Sequence, residues 1–125
     1  VEEWPFSSDT KTMMVKCHPE LDESHIVYFL KGALERVLDQ CTLYFNNGAT
    51  FPFKDKQKEV YLQEGHSLGQ TGLRVLGMAY GKDLNSLVYV GLVGIMDPPR
   101  EGVRAAISTL MGMNVAVKML TGDSE

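Results

Sequence analysis

The stretch LVYVGLVGIMDPPREGVRAAISTLMGMNVAVKMLTGD, residues 87–123, decides the fold class. Leu87 to Met96 is a continuous apolar run, β-branched in part, and predicts a strand buried on both faces. Asp97-Pro98-Pro99-Arg100 closes the run. Asp97 suits a helix N-cap, and a proline is tolerated in a helix's first turn. Val103, Ala106, Ile107, Leu110 and Met111 then recur at i, i+3, i+4, i+7 and i+8, one apolar stripe along a helix, with Gly112 suited to its C-cap. Val115, Val117 and Met119 alternate and predict the next strand. A β-α-β unit implies two parallel strands joined by a right-handed crossover. Its second strand would end at Thr121-Gly122-Asp123, and open α/β sheets bind ligands at the carboxyl ends of their strands.

Working upstream, Val1 to about Tyr80 differs in character. Lys11 to Cys17 predicts a strand, and His25 to Leu30 its partner. Ala33 to Gln40 predicts a helix, with Leu34, Leu38 and Cys41 on one face. Asn46-Asn47-Gly48 is a turn signal. Lys54 to Leu68 predicts a helix, although Gly65 weakens it by ~1 kcal/mol relative to Ala. Arg74 to Tyr80 returns to a strand. The seam between the two parts is expected in the polar segment Gly81 to Ser86.

Composition narrows the class. The chain has 125 residues, 44% hydrophobic and 22% charged, ordinary globular proportions that exclude disorder and collagen-like repeats. Its longest nearly apolar run, Val88 to Met96, is far short of the ~20 residues of a spanning helix. A net charge of −4 without a basic stripe argues against nucleic acid as a partner. Cys17 and Cys41 have no disulfide-framework or zinc-site spacing. The start at Val1 and the end at Glu125 are expected to be cuts within a longer polypeptide.

Several residues have the chemistry of a phosphate-ligand site. Asp123, after a glycine at a strand end, could hold a cation near a phosphoryl group or belong to an ordinary turn. Lys31, expected between strand and helix in Leu30-Lys31-Gly32-Ala33, could supply charge for phosphates or be a solvated turn lysine. Phe6 could be core or a stacking platform. Lys11 and Arg74 would ordinarily be surface charges. Gly65, Gly69 and Gly72 match no nucleotide-loop motif.

Taken in series, these segments are specific. Pro5-Phe6-Ser7-Ser8 followed by Lys11, then Lys31-Gly32-Ala33, Gly72-Leu73-Arg74-Val75-Leu76, Gly94-Ile95-Met96-Asp97-Pro98-Pro99-Arg100 and Met119-Leu120-Thr121-Gly122-Asp123-Ser124 closely resemble the cytosolic region of P-type cation-transporting ATPases. The resemblance spans essentially the whole chain. Within that family it looks most like the secretory-pathway type 2C calcium/manganese pumps.

The resemblance implies an α/β chain in two pieces. Residues 1–86 would be the C-terminal part of an antiparallel-sheet, ATP-binding N domain. Residues 87–125 would be the returning β-α-β segment of a parallel-sheet, haloacid-dehalogenase-like phosphorylation domain. Phe6 would stack on adenine. Lys11 would belong to the same pocket, and Lys31, Gly32 and Ala33 would line the adenosine site. Arg74 would reach the phosphate chain. Asp97, Pro98, Pro99 and Arg100 would form the hinge between domains, and Thr121, Gly122 and Asp123 would orient the γ-phosphate and Mg²⁺. The parent would move Ca²⁺ or Mn²⁺ into the Golgi lumen through an aspartyl-phosphate, with its ion sites in membrane helices outside this chain. This chain would be a cytosolic part of that membrane protein, and its partners would be ATP and the pump's actuator, phosphorylation and transmembrane parts.

The family's Asp-Lys-Thr-Gly-Thr motif, with the phosphorylated aspartate, is not in the sequence. The chain alone is therefore expected to be inactive. A free-standing phosphatase of the dehalogenase type would need an early Asp-x-Asp nucleophile, which is also lacking. The remaining rival is a truncated nucleotide- or partner-binding module without enzymatic activity.

Overall fold

The computed structural model describes residues 1–18 and 25–120. Among them are seven strands and three helices: β1 (Glu2–Trp4), β2 (Thr12–Cys17), β3 (Val27–Ala33), α1 (Leu34–Gln40), β4 (Cys41–Asn46), β5 (Ala49–Pro52), α2 (Asp55–Gly69), β6 (Arg74–Gly81), β7 (Leu87–Ile95) and α3 (Val103–Gly112). The strands form one mixed sheet in the order β1-β2-β3-β6-β7-β4-β5. Every neighbouring pair is antiparallel except β4 and β7, which run parallel.

Strand alternation sends successive side chains to opposite faces, and one face receives α1 and α2. Leu30 of β3, Ala79 of β6 and Leu87 and Tyr89 of β7 point that way. They bury against Leu34, Val37 and Leu38 of α1, together with Cys41 and Phe53. Tyr44, Phe53, Tyr61 and Tyr89 extend this core as an aromatic cluster, with ring centroids 4.9–6.5 Å apart, within the range of favourable ring packing. Asn47 and Gly48, with φ of 47° and 85°, make the two-residue turn joining β4 to β5. Both angles positive is the requirement that favours Asn-Gly there.

Two glycines mark close approaches. A Cβ on Gly32 would collide with the Lys11 carbonyl and lie 2.7 Å from Thr12 Cα. A Cβ on Gly65 would collide with Leu34 Cδ2, so the glycine that weakens α2 locally is what lets α2 lie against α1.

The structure differs from the sequence expectations in several places. β7 is an inner strand between β6 and β4 rather than the first strand of a parallel β-α-β unit, and Gly81 to Ser86 is a tight connection between β6 and β7. Its turn is closed by Asp83, which accepts from the Asn85 N–H (2.9 Å) and the Ser86 hydroxyl (2.5 Å). β7 is buried only over Leu87, Val88 and Tyr89, with Leu92 in its second half partly buried against the same core. Residues 115–120 are not in a strand, so the expected β-α-β unit is absent among the described residues. Alternation alone supplies no partner strand.

α3 begins after Gly102, which has φ 85° at the N-cap, and not at Asp97. Past its end the left-handed residue is Asn114, φ 61°, rather than Gly112. The Lys31-Gly32-Ala33 segment belongs to β3 instead of lying in a turn. β1, β4 and β5 had no counterpart in the sequence expectation.

Two outcomes follow from this packing. Gly32→Ala must push backbone against backbone, and should lower stability by ~1–3 kcal/mol, read as a fall in the denaturation midpoint. An unchanged midpoint would show that the Lys11–Thr12 backbone yields freely. Cys41 is 1% exposed, and burial pushes its thiol up to about 12 against a smaller opposing effect of Lys58. A thiol reagent at mildly alkaline pH should modify half-buried Cys17 and reach Cys41 only on unfolding. Equal labelling rates in the folded chain would contradict this core.

Candidate functional site

The sheet face turned away from α1 and α2 carries an open groove of about 370 Å³. Its floor is built by alternation. Leu30 points into the core, so Phe29 and Lys31 point out. In register, Lys31 lies opposite Met13 on β2 and Met78 on β6. Phe29 lies opposite Val15 and Tyr80. These six side chains, with Val90, line the groove.

Val90 reaches it through a bulge. Ala79 pairs with Tyr89 and Met78 with Gly91, so Val90 is the extra residue on β7. Gly91 has φ 148°, a backbone that a side chain would strain. A bulge of this kind re-aims one side chain, here toward Met78. Phe29 and Tyr80 are 49% and 37% exposed, so the groove is apolar and open, with one cation set into it.

The β1–β2 connection is fastened to the end of β3. Lys11 has φ 54°. Its N–H donates to the Ser7 carbonyl (2.8 Å), and its own carbonyl accepts from the Ala33 N–H (2.9 Å). The Ser7 and Thr10 hydroxyls are 2.7 Å apart, and the Thr10 N–H donates to Ser7 Oγ (3.1 Å). Phe6, just before this turn, is 63% exposed. Lys11, Gly32 and Ala33 are therefore brought into direct contact, and Lys31 is the next residue along β3. Phe6 does not line the groove itself.

Arg74 falls on the same face as Met78, by the alternation Arg74, Leu76, Met78. Four residues separate it from Met78, a distance of roughly 13 Å along the strand. Asp97 to Arg100 are exposed after β7. Thr121, Gly122 and Asp123 lie outside the described residues.

Chemically, an apolar groove suits a flat ring, and two cations spaced along one face suit an extended anion. Among the described residues no group of His, Cys, Asp and Glu could hold a metal, and no helix is long and apolar enough to cross a membrane. Sequence reasoning missed Met13, Phe29, Met78, Tyr80 and Val90. The available signal was the continuation of β3 through Ala33, which places Phe29 and Lys31 two apart on one face. Val90 needed the bulge, which the sequence marks only by Gly91.

Residues 1–102 match the family described as P-type ATPase, cytoplasmic domain N. The chain is 47% identical over 123 residues to the human protein named calcium-transporting ATPase type 2C member 2, and 47% over 124 residues to human type 2C member 1. Each comparison covers 98% of this chain but only 13% and 14% of those proteins. A fission-yeast relative, calcium-transporting ATPase 1 of Schizosaccharomyces pombe, is 37% identical over 126 residues, covering 99% of this chain and 14% of its own length. Family match and near-full coverage agree with the mixed sheet: the chain belongs to the P-type ATPases and carries sequence of their cytoplasmic domain N.

Proposed function

We propose that the groove face binds ATP for an ATP-driven calcium pump of type 2C. The observation that carries this is Lys31, set among apolar side chains opposite Met78, on the same sheet face as Arg74, which lies roughly 13 Å from Met78 along β6. That layout has a mostly apolar place for a base, with Lys31 set into it, at one end and a second cation for phosphates at the other. Phe6, exposed beside the Ser7–Lys11 turn and outside the groove lining, is assigned as the stacking face for the base. Lys11, Gly32 and Ala33 shape the adenosine end, and Arg74 takes the phosphate chain. Charge-assisted contacts of this kind orient the anion, and positioning is most of what phosphoryl transfer asks of a protein.

The segment Asp97 to Arg100 is the proposed hinge, in place of a boundary at residue 87. The phosphorylation-domain segment then begins beyond it, with Thr121, Gly122 and Asp123 orienting the γ-phosphate and Mg²⁺. Bound there, the ion would neutralise phosphate charge. The accepting aspartate lies outside this chain. Ca²⁺ or Mn²⁺ is the proposed cargo, and the parent is placed in Golgi membranes with this part in the cytosol. The printed names of the relatives, calcium-transporting ATPases, support the calcium reading.

Titration of ATP and AMP against the chain and its variants tests the assignment. Stacking on Phe6 is uncharged and worth ~1–3 kcal/mol, so Phe6→Ala should weaken ATP and AMP by similar factors. A charge-assisted contact is worth ~1.5–3 kcal/mol. Arg74→Ala should therefore weaken ATP more than AMP, by a margin that shrinks at high salt. Equal losses at every ionic strength would remove Arg74 from the phosphate end.

The purified chain should also show no steady ATP hydrolysis, with Mg²⁺ present, because its sequence lacks the Asp-Lys-Thr-Gly-Thr nucleophile motif. Turnover that co-purifies with the chain and is lost in Arg74→Ala would refute the division of labour with the rest of the pump.

A further inference from the structure

Lys31 has a thioether on each side. β2 places Met13 directly opposite it, and β6 places Met78 opposite on the other side. Directly opposed residues on neighbouring strands hold their Cβ atoms ~4.5–5.5 Å apart. All three side chains line the same open groove, with Phe29 and Tyr80 beside them. Met13 and Met78 are half-buried and not sealed in the core. The neighbouring Met14 instead packs against the helix-side core. Met96, Met111, Met113 and Met119 are 63–86% exposed, but none of them lines the groove.

We infer that Met13 and Met78 are an oxidative modification site whose conversion to sulfoxide weakens nucleotide binding at Lys31. This inference rests on the nucleotide reading of the groove. The oxidant class is a peroxide. A lone pair on the thioether sulfur attacks one peroxide oxygen. The S–O bond forms as the O–O bond breaks, and the second oxygen leaves as water after taking the proton that the attacked oxygen carried. Sulfur is oxidised by two electrons, and hydrogen peroxide is reduced by two.

The consequence for the groove is physical. A thioether is soft and makes favourable contacts with rings, whereas a sulfoxide is polar and chiral. Its oxygen is also a strong acceptor, and the lysine ammonium has only donors to offer. A sulfoxide on either neighbour therefore draws the Lys31 ammonium away from a ligand and puts a polar atom where a flat base would lie. Because the change sits at Lys31 and not at Arg74, it should affect AMP and ATP alike. Reductases that act on the two sulfoxide epimers restore the thioether, which makes the modification reversible.

The experiment treats the full 125-residue chain with hydrogen peroxide and then with dithiothreitol, which returns oxidised thiols but leaves sulfoxides in place. Peptide mapping locates each added oxygen, and AMP and ATP are titrated before and after. The expected result is oxygen on Met13 and Met78, affinity for both nucleotides lowered about three- to tenfold, and recovery after the two reductases. Measured against its own untreated affinity, the Met13→Leu/Met78→Leu double variant should lose nothing on treatment, although Met119 and the other exposed methionines are still oxidised.

Oxygen absent from Met13 and Met78 while Met119 is fully oxidised would overturn the inference. So would oxidation of both with unchanged affinity, or an equal loss in the double variant. An untreated chain that binds neither nucleotide is a different failure. It is seen before any peroxide is added and removes the nucleotide reading itself.

Discussion

The carbonyl of Lys11 and the Cα of Thr12 stand where a side chain at position 32 would have to go. This backbone-on-backbone approach governs the functional end of the molecule. It lets the Lys11 carbonyl accept from the Ala33 N–H at 2.9 Å, closing the start of β2 onto the end of β3. That closure fixes the register in which Met13 faces Lys31. It also anchors the Ser7–Lys11 turn that carries Phe6, and it sets the point at which the chain leaves β3 for α1, because Ala33 is the N-cap. A single missing side chain thus couples a loop aromatic, a strand lysine and a helix start.

The next dependency runs through Leu34, the first residue of α1. It occupies space that a Cβ at Gly65 on α2 would overlap, and its Cδ1 lies 3.2 Å from where a Cβ at Gly77 on β6 would be. Rotating Leu34 away from one glycine is resisted by the other contact, so the residue behaves as a fixed wedge. The helix-weakening effect of Gly65, ~1 kcal/mol against Ala, is outweighed by burial of a leucine that is only 6% exposed, worth ~1.5–3 kcal/mol. About one turn earlier on α2, Tyr61 meets Tyr89 and Phe53. The sheet face toward the helices is therefore stiff, and the opposite face inherits that stiffness.

Much of this was legible in the sequence, for identifiable reasons. β2, β6, β7 and α3 carry apolar patterns long enough to reveal their period. β1 was not legible, because Glu2-Glu3-Trp4 is exposed throughout and leaves no alternation. β4 follows α1 without a break, and Cys41, its first residue, also continues the helical spacing of Leu34 and Leu38. β7 was recognised as a strand but given the wrong neighbours, since periodicity says nothing about pairing. Phe6, Lys11, Lys31 and Arg74 entered through motifs in series. The groove around Lys31 did not, because a shared face on three strands exists only once the register is known.

The register also explains why this face has stayed a surface. β3 lies between β2 and β6, so Lys31 cannot swing around a sheet edge to find water. Its ammonium must be solvated, or met by an anion, directly above the strand that carries it. An apolar cover laid over Phe29, Tyr80 and Val90 would bury that charge with donors and no acceptor, which is unfavourable without a partner. The aromatic and aliphatic neighbours alone would invite such a cover, and the lysine among them forbids a dry one. What fits is a ligand that is flat and apolar over part of its length and anionic over the rest. The same charge that keeps the groove open therefore selects what can fill it.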